Sequence, residues 1–205
     1  MLDQLGKAHR ADKVLRLASL SDESLEAILL EFGVGIEDLE DVRDAAVRSS
    51  VVVNPNDAIR FSFVRERFWP GRFNREGYGV YYAALEGQTC IEEVKNYQNT
   101  SMTAQSSAKY YRFISAQFDG MTVDLRGQEG AHPQLTSTDK SGYPFCQSLA
   151  DVARQTGIDA FYTYSARDAG GTCVPVFQRS ALQNPSLGGG VRYYWNGASV
   201  SHIEF

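Results

Sequence analysis

The chain has 205 residues, 43% of them hydrophobic and 22% charged, with a net charge of −5 and a pI near 5.2. That length suits one domain of ordinary size, or a domain with an appendage, and is enough to bury a core. The acidic balance argues against a general nucleic-acid binder, and no apolar run approaches the roughly 18 residues of a membrane-spanning helix.

In chain order, residues 1–13 lack the apolar stretch of a signal peptide. Residues 1–50 read as helices. Ser21 followed by Asp22 and Glu23 is a good N-terminus, Leu25, Ile28, Leu29 and Phe32 follow at helical spacing, and Ile36, Leu39, Val42, Ala46 and Val47 resume it after two glycines. The turn signal Asn54-Pro55-Asn56-Asp57 marks the one internal boundary, dividing a helical segment, 1–54, from a main domain, 55–205. Residues 58–64 are strand-like, 65–74 form a loop dense in arginine and aromatics, and 79–84 form a second strand. Tyr81 and Tyr82 are adjacent there, so only one of them faces inward.

A helix follows from about Thr89, in which Cys90, Val94 and Tyr97 recur at the spacing of a buried face. Glu93 falls within that apolar stripe while Glu92 points elsewhere. A carboxylate on a buried face is costly unless it is paired or employed. Residues 110–118 and 121–125 read as two strands joined by the tight-turn dipeptide Asp119-Gly120. The polar stretch 126–143 reads as a loop over a site. Cys146, Leu149, Ala150 and Ala153 mark a helix stopped by Gly157, strands follow at 158–164 and 173–178, and the glycines at 188–190 form a turn before closing strands at 191–195 and 198–205. Separated strands around two helices make the fold class α+β.

Cys90, Cys146 and Cys173 are odd in number and far apart, and His9, His132 and His202 lack ligand spacing, so the expectation is a cytoplasmic protein with neither disulfide framework nor metal. The common phosphate-cradling loops and the G-x-S-x-G elbow are absent. What remains is arginines, tyrosines, one inward glutamate and a strand-end serine, Ser165. Arginine forks suit a pyrophosphate, tyrosine offers a stacking face, and a desolvated carboxylate steadies a cationic sugar. Together they point to cleavage of an N-glycosidic bond in a dinucleotide such as NAD.

Three stretches then carry a resemblance: Gly71-Arg72-Phe73-Asn74, Gly79-Val80-Tyr81-Tyr82-Ala83-Ala84 and Thr89-Cys90-Ile91-Glu92-Glu93-Val94. With 82 − 72 = 10 and 93 − 82 = 11, the spacing of Arg72, Tyr82 and Glu93 resembles that of the RES-domain family, and residues 143–154, 157–160 and 164–168 resemble its second half, with Ser165 as the family's serine. The resemblance implies a compact fold like that of ADP-ribosyltransferases, with mixed or antiparallel sheets and flanking helices. It implies a bacterial toxin that consumes NAD by glycohydrolysis or phosphorolysis, paired with an Xre-like antitoxin through which alone it meets nucleic acid.

By the same resemblance, Arg72 holds the NAD phosphates, Tyr82 faces the nicotinamide or its ribose, and Glu93 stabilises the transition state. Ser165 bonds the ribose or a catalytic side chain. Arg65, or its rival Arg60, is a further site arginine. Arg167 is either a substrate contact or a structural partner for an acid such as Asp159. Two other classes stay open: a mono-ADP-ribosyltransferase with a specific protein acceptor, and a binding module with a decayed site.

Overall fold

Lys7–Ser19 forms a thirteen-residue strand, β1, and this corrects the helical expectation for the start of the chain. Its register with β3, Lys109–Asp124, runs unbroken from Lys7↔Val123 to Ser19↔Tyr111, so it belongs to the same sheet as the main domain instead of forming an appendage. Arg10, Asp12, Val14 and Arg16 share one face of β1 by the two-residue period of a strand, and three of the four are charged. A strand whose inner face is largely charged shows no apolar alternation. The computed structural model describes residues 1–19, 35, 54–64, 68–103 and 108–205; the helices expected at 21–32 and 36–47 lie outside these.

The residues expected as a strand at 58–64 begin instead as a short helix, α1 (Pro55–Arg60), followed by a turn. Asn54 caps it, its side chain accepting from Asn56 N at 2.9 Å, and Pro55 supplies the preset first helical position. The remaining elements are β2 (Tyr81–Ala84), α2 (Gly87–Ser101), α3 (Tyr143–Gln155), β4 (Ala160–Tyr164), β5 (Thr172–Val176), β6 (Leu182–Trp195) and β7 (Val200–Glu204).

Two expected turns are interior strand positions. Asp119 and Gly120 lie inside β3, opposite Ala11 and Arg10. Glycine is required there by close approach: a Cβ on Gly120 would stand 2.7 Å from Asp159 Oδ2, the same oxygen that accepts Met121 N at 2.8 Å. The glycines at 188–190 likewise continue β6, where Gly190 exchanges backbone hydrogen bonds with Phe205 and a Cβ would strike its ring.

The sheet order is β1-β2-β5-β4-β3-β6-β7, and the additional β1–β3 pairing closes the first five strands into a barrel. β3 meets β4 in parallel through residues 122–124 and β6 antiparallel through its earlier residues, so β6 and β7 branch off the ring as an arm. Inside the barrel lie Val14, Tyr81, Ala83, Ala116, Phe118, Ala160, Tyr162, Val174 and Val176. Outside, α2 packs through Cys90 and Ile91 against Leu17, Ala84, Tyr111 and Tyr193, while α3 packs through Cys146, Leu149, Ala150 and Ala153 near Phe161 and Phe177. Each fully buried large apolar side chain contributes about 1.5–3 kcal/mol relative to exposure. Among the described residues no helix is long and apolar enough to cross a membrane.

Candidate functional site

The outer face of β2, β5 and β4 carries the site. Along α2 the buried residues are Thr89, Cys90, Ile91 and Gln98, whereas Tyr97, expected on the buried stripe, is 65% exposed. Gln98 replaces it at the packed end, donating to the Tyr111 hydroxyl at 2.7 Å. Glu93 is half-buried at the margin of this face. Its Oε1 accepts the Ser165 hydroxyl at 2.6 Å and the Cys173 thiol at 3.6 Å. Glu92 turns to the other side, accepting from Gln88 Nε2 at 3.1 Å and pairing with Lys95 at 3.5 Å.

The direction of the Ser165–Glu93 bond follows from the turn after β4. Ser165 Oγ accepts the backbone N–H groups of Arg167 at 3.0 Å and Asp168 at 3.1 Å. Both lone pairs are thereby engaged, which leaves the single hydroxyl proton for the carboxylate. Ser165 caps its turn and orients Glu93 at once, and it is not free to act as a nucleophile. The turn is fastened to the start of α2: Thr89 Oγ1 lies 2.7 Å from Asp168 Oδ2 and 3.1 Å from Glu86 Oε2, and Glu86 Oε2 also accepts Thr172 N at 2.8 Å. Gly171 admits this crowding, since a Cβ there would collide with both Thr89 Oγ1 and Asp168 Oδ2.

Of the paired tyrosines, Tyr81 is wholly buried inside the barrel and Tyr82 faces out, 37% exposed. The Tyr82 hydroxyl is nonetheless enclosed, accepting Phe73 N at 2.8 Å and donating to Asn74 Oδ1 at 2.9 Å, and burial drives its pKa upward, so it stays a phenol. Arg72 reaches the other way. It donates through Nη1 to the carbonyls of Gln134 (3.1 Å) and Leu135 (3.2 Å), and through Nη2 to that of Ser137 (2.6 Å). The Cys146 thiol is a further hydrogen-bond partner of the same guanidinium. Arg167 holds the next carbonyl along, donating from Nη2 to Thr138 O. The two arginines thus grip neighbouring carbonyls of the loop at 126–142. Neither Arg72 nor Tyr82 hydrogen-bonds to Glu93 or Ser165.

Arg65 lies outside the described residues, and Arg60 is taken up locally by Asp57 at 3.1 Å. A third arginine, Arg16, which the sequence did not single out, shares a neighbouring cleft with Tyr82. β1 and β2 touch through one residue pair, Leu15↔Ala84, and where they part there is a cleft of about 150 Å³ lined by Arg16, Ser62, Phe68, Trp69, Asn74 and Tyr82. Arg16 Nη1 donates to Ser62 Oγ at 2.7 Å, and its guanidinium lies 5.0 Å from the Tyr81 ring centre. Burial pushes the Tyr81 phenol up to about 12. Cys173 was the other omission. Its signal is faint in a sequence, because only the fold brings β5 under α2. Among the described residues no cluster of three or more His, Cys, Asp or Glu is arranged to hold a metal.

No curated protein matches the chain. The model of the RES domain matches residues 47–196, a span that contains Arg72, Tyr82, Glu93, Ser165 and Cys173 but not β1 with Arg16. This protein belongs to the RES-domain family.

Proposed function

We propose that this chain is the toxin of a bacterial toxin–antitoxin pair and that it cleaves the nicotinamide–ribose bond of NAD, passing the ADP-ribosyl group to water or phosphate. RES domains are associated with toxins that act on NAD, and the likeness to ADP-ribosyltransferases belongs to the same reading. The observation that carries it is the 2.6 Å bond from Ser165 to Glu93, which fixes a half-buried carboxylate from residues 72 positions apart.

In this reaction the C1′–N bond breaks with its electron pair leaving on nicotinamide, and positive charge develops on the ribose. The Glu93 carboxylate, preorganised before substrate arrives, opposes that charge without reorganising. Water or phosphate then attacks C1′, and with water the products are ADP-ribose, nicotinamide and a proton. The guanidinium groups of Arg16 and Arg72 suit the pyrophosphate, and the exposed face of Tyr82 suits the departing ring. The expected partner is an Xre-like antitoxin in the same cytoplasm, with any nucleic-acid contact made through it.

The test is incubation of antitoxin-free protein with NAD, with and without phosphate, and with cell extract. Free nicotinamide with ADP-ribose identifies hydrolysis, and ADP-ribose-1″-phosphate identifies phosphorolysis. Label on a protein band would make the chain a mono-ADP-ribosyltransferase. Silence in all three would leave a binding module.

A further inference from the structure

We propose that Cys173 is a positioning residue for Glu93, and that the carboxylate consequently works through Oε2 alone. The inference rests on the reading of Glu93 as the group that steadies the sugar. Oε1 receives two donors, Ser165 Oγ at 2.6 Å and Cys173 Sγ at 3.6 Å, while no described residue donates to Oε2. Two donors arriving on one oxygen from separate elements, the turn after β4 and the strand β5, fix the carboxylate's tilt as well as its place. A single donor would leave the plane free to rotate about that contact.

The chain's register sets the thiol there. Cys173 pairs with Ala84 on one side and Thr163 on the other, so its side chain stands on the outward face of β5, toward α2. Burial, and then the negative charge of Glu93, raise the thiol well above its ordinary pKa. A thiolate is thus excluded by the group it serves, and the sulfur remains a donor. Cys173 is only partly buried, but with its pKa raised it presents little of the thiolate that oxidants attack, which separates this role from that of a redox sensor.

The experiment uses the full chain with NAD as substrate and two variants, Cys173→Val, nearly isosteric without a donor, and Cys173→Ser, which keeps a proton to give. The expected result is a fall in kcat of about fivefold to tenfold for Cys173→Val, the scale of one neutral hydrogen bond, with KM and Tm held, and recovery of most of that loss in Cys173→Ser. A readout independent of turnover is the S–H stretching band of Cys173, identified by its disappearance in Cys173→Val. It should move to higher wavenumber in Glu93→Ala. An unmoved band, or equal kcat losses in the Val and Ser variants, would overturn the proposal. A band that moves in protein inert toward NAD would overturn the reaction and leave the thiol–carboxylate contact standing, so the two failures are told apart.

Discussion

Replacing Glu93 by Gln keeps the side chain's length and an oxygen for Ser165, while removing the charge that opposes a developing oxocarbenium ion. Loss of a preorganised electrostatic group costs about 3–4 kcal/mol, so kcat should fall by roughly 10²–10³. Glu92→Gln alters the pairing with Lys95 on the other side of α2 and should leave turnover near that of the unaltered protein. Steady-state nicotinamide release measures both, and equal losses would sink the assignment. Glu93 stood out in the sequence as a carboxylate within an apolar stripe, although Tyr97 of that stripe is exposed and Glu93 lies at its margin, and Ser165 stood out as a strand end. Arg16 did not, because the charges on β1 hide its two-residue period. Cys173 needed the register of β5 against β2, which no local pattern encodes.

At the scale of elements, the loop at 126–142 is held by side chains at both flanks. Arg72→Lys should loosen it, since an ammonium lacks the planar fork that spans three carbonyls. Faster amide exchange confined to this loop is the expected signature. Within it, Asp139 accepts from the Ser141 side chain, from Ser137 and from Ser141 N, and these bonds lower its pKa from 3.8 to about 2. Because the folded value lies below the unfolded one, the contribution is fully present above about pH 4 and is lost as pH falls through 2. The Ser141 amide resonance should therefore titrate with a midpoint near 2, and a midpoint near 4 would show that the cap is not formed. The elements misjudged from sequence have two causes. Asn54-Pro55 caps and starts a helix locally, whereas Gly120 and Gly190 make room for Asp159 and Phe205, so there the usual signal for a turn answers to packing at a distance.

Across the whole molecule, β1 is a wall of the barrel, so removing residues 1–19 should abolish cooperative unfolding, as seen by circular dichroism on heating. An intact transition after that truncation would restore the appendage expected from sequence. NAD cleavage should survive a chelator, because the proposed chemistry assigns no step to a metal. The α+β class and most strands of the main domain were readable from their apolar patterns, whereas closure of the ring was not, since it depends on a pairing between β1 and β3 whose partners, from Ser19↔Tyr111 to Lys7↔Val123, lie 111 − 19 = 92 to 123 − 7 = 116 positions apart. That separation has a temporal meaning. On the ribosome β1 emerges before β3 and has no full-length partner until residue 124 has followed, and Glu93 lacks its Ser165 donor until 72 further residues are made. Both the ring and the Glu93–Ser165 contact therefore close only after a long stretch of chain has been made between their two halves.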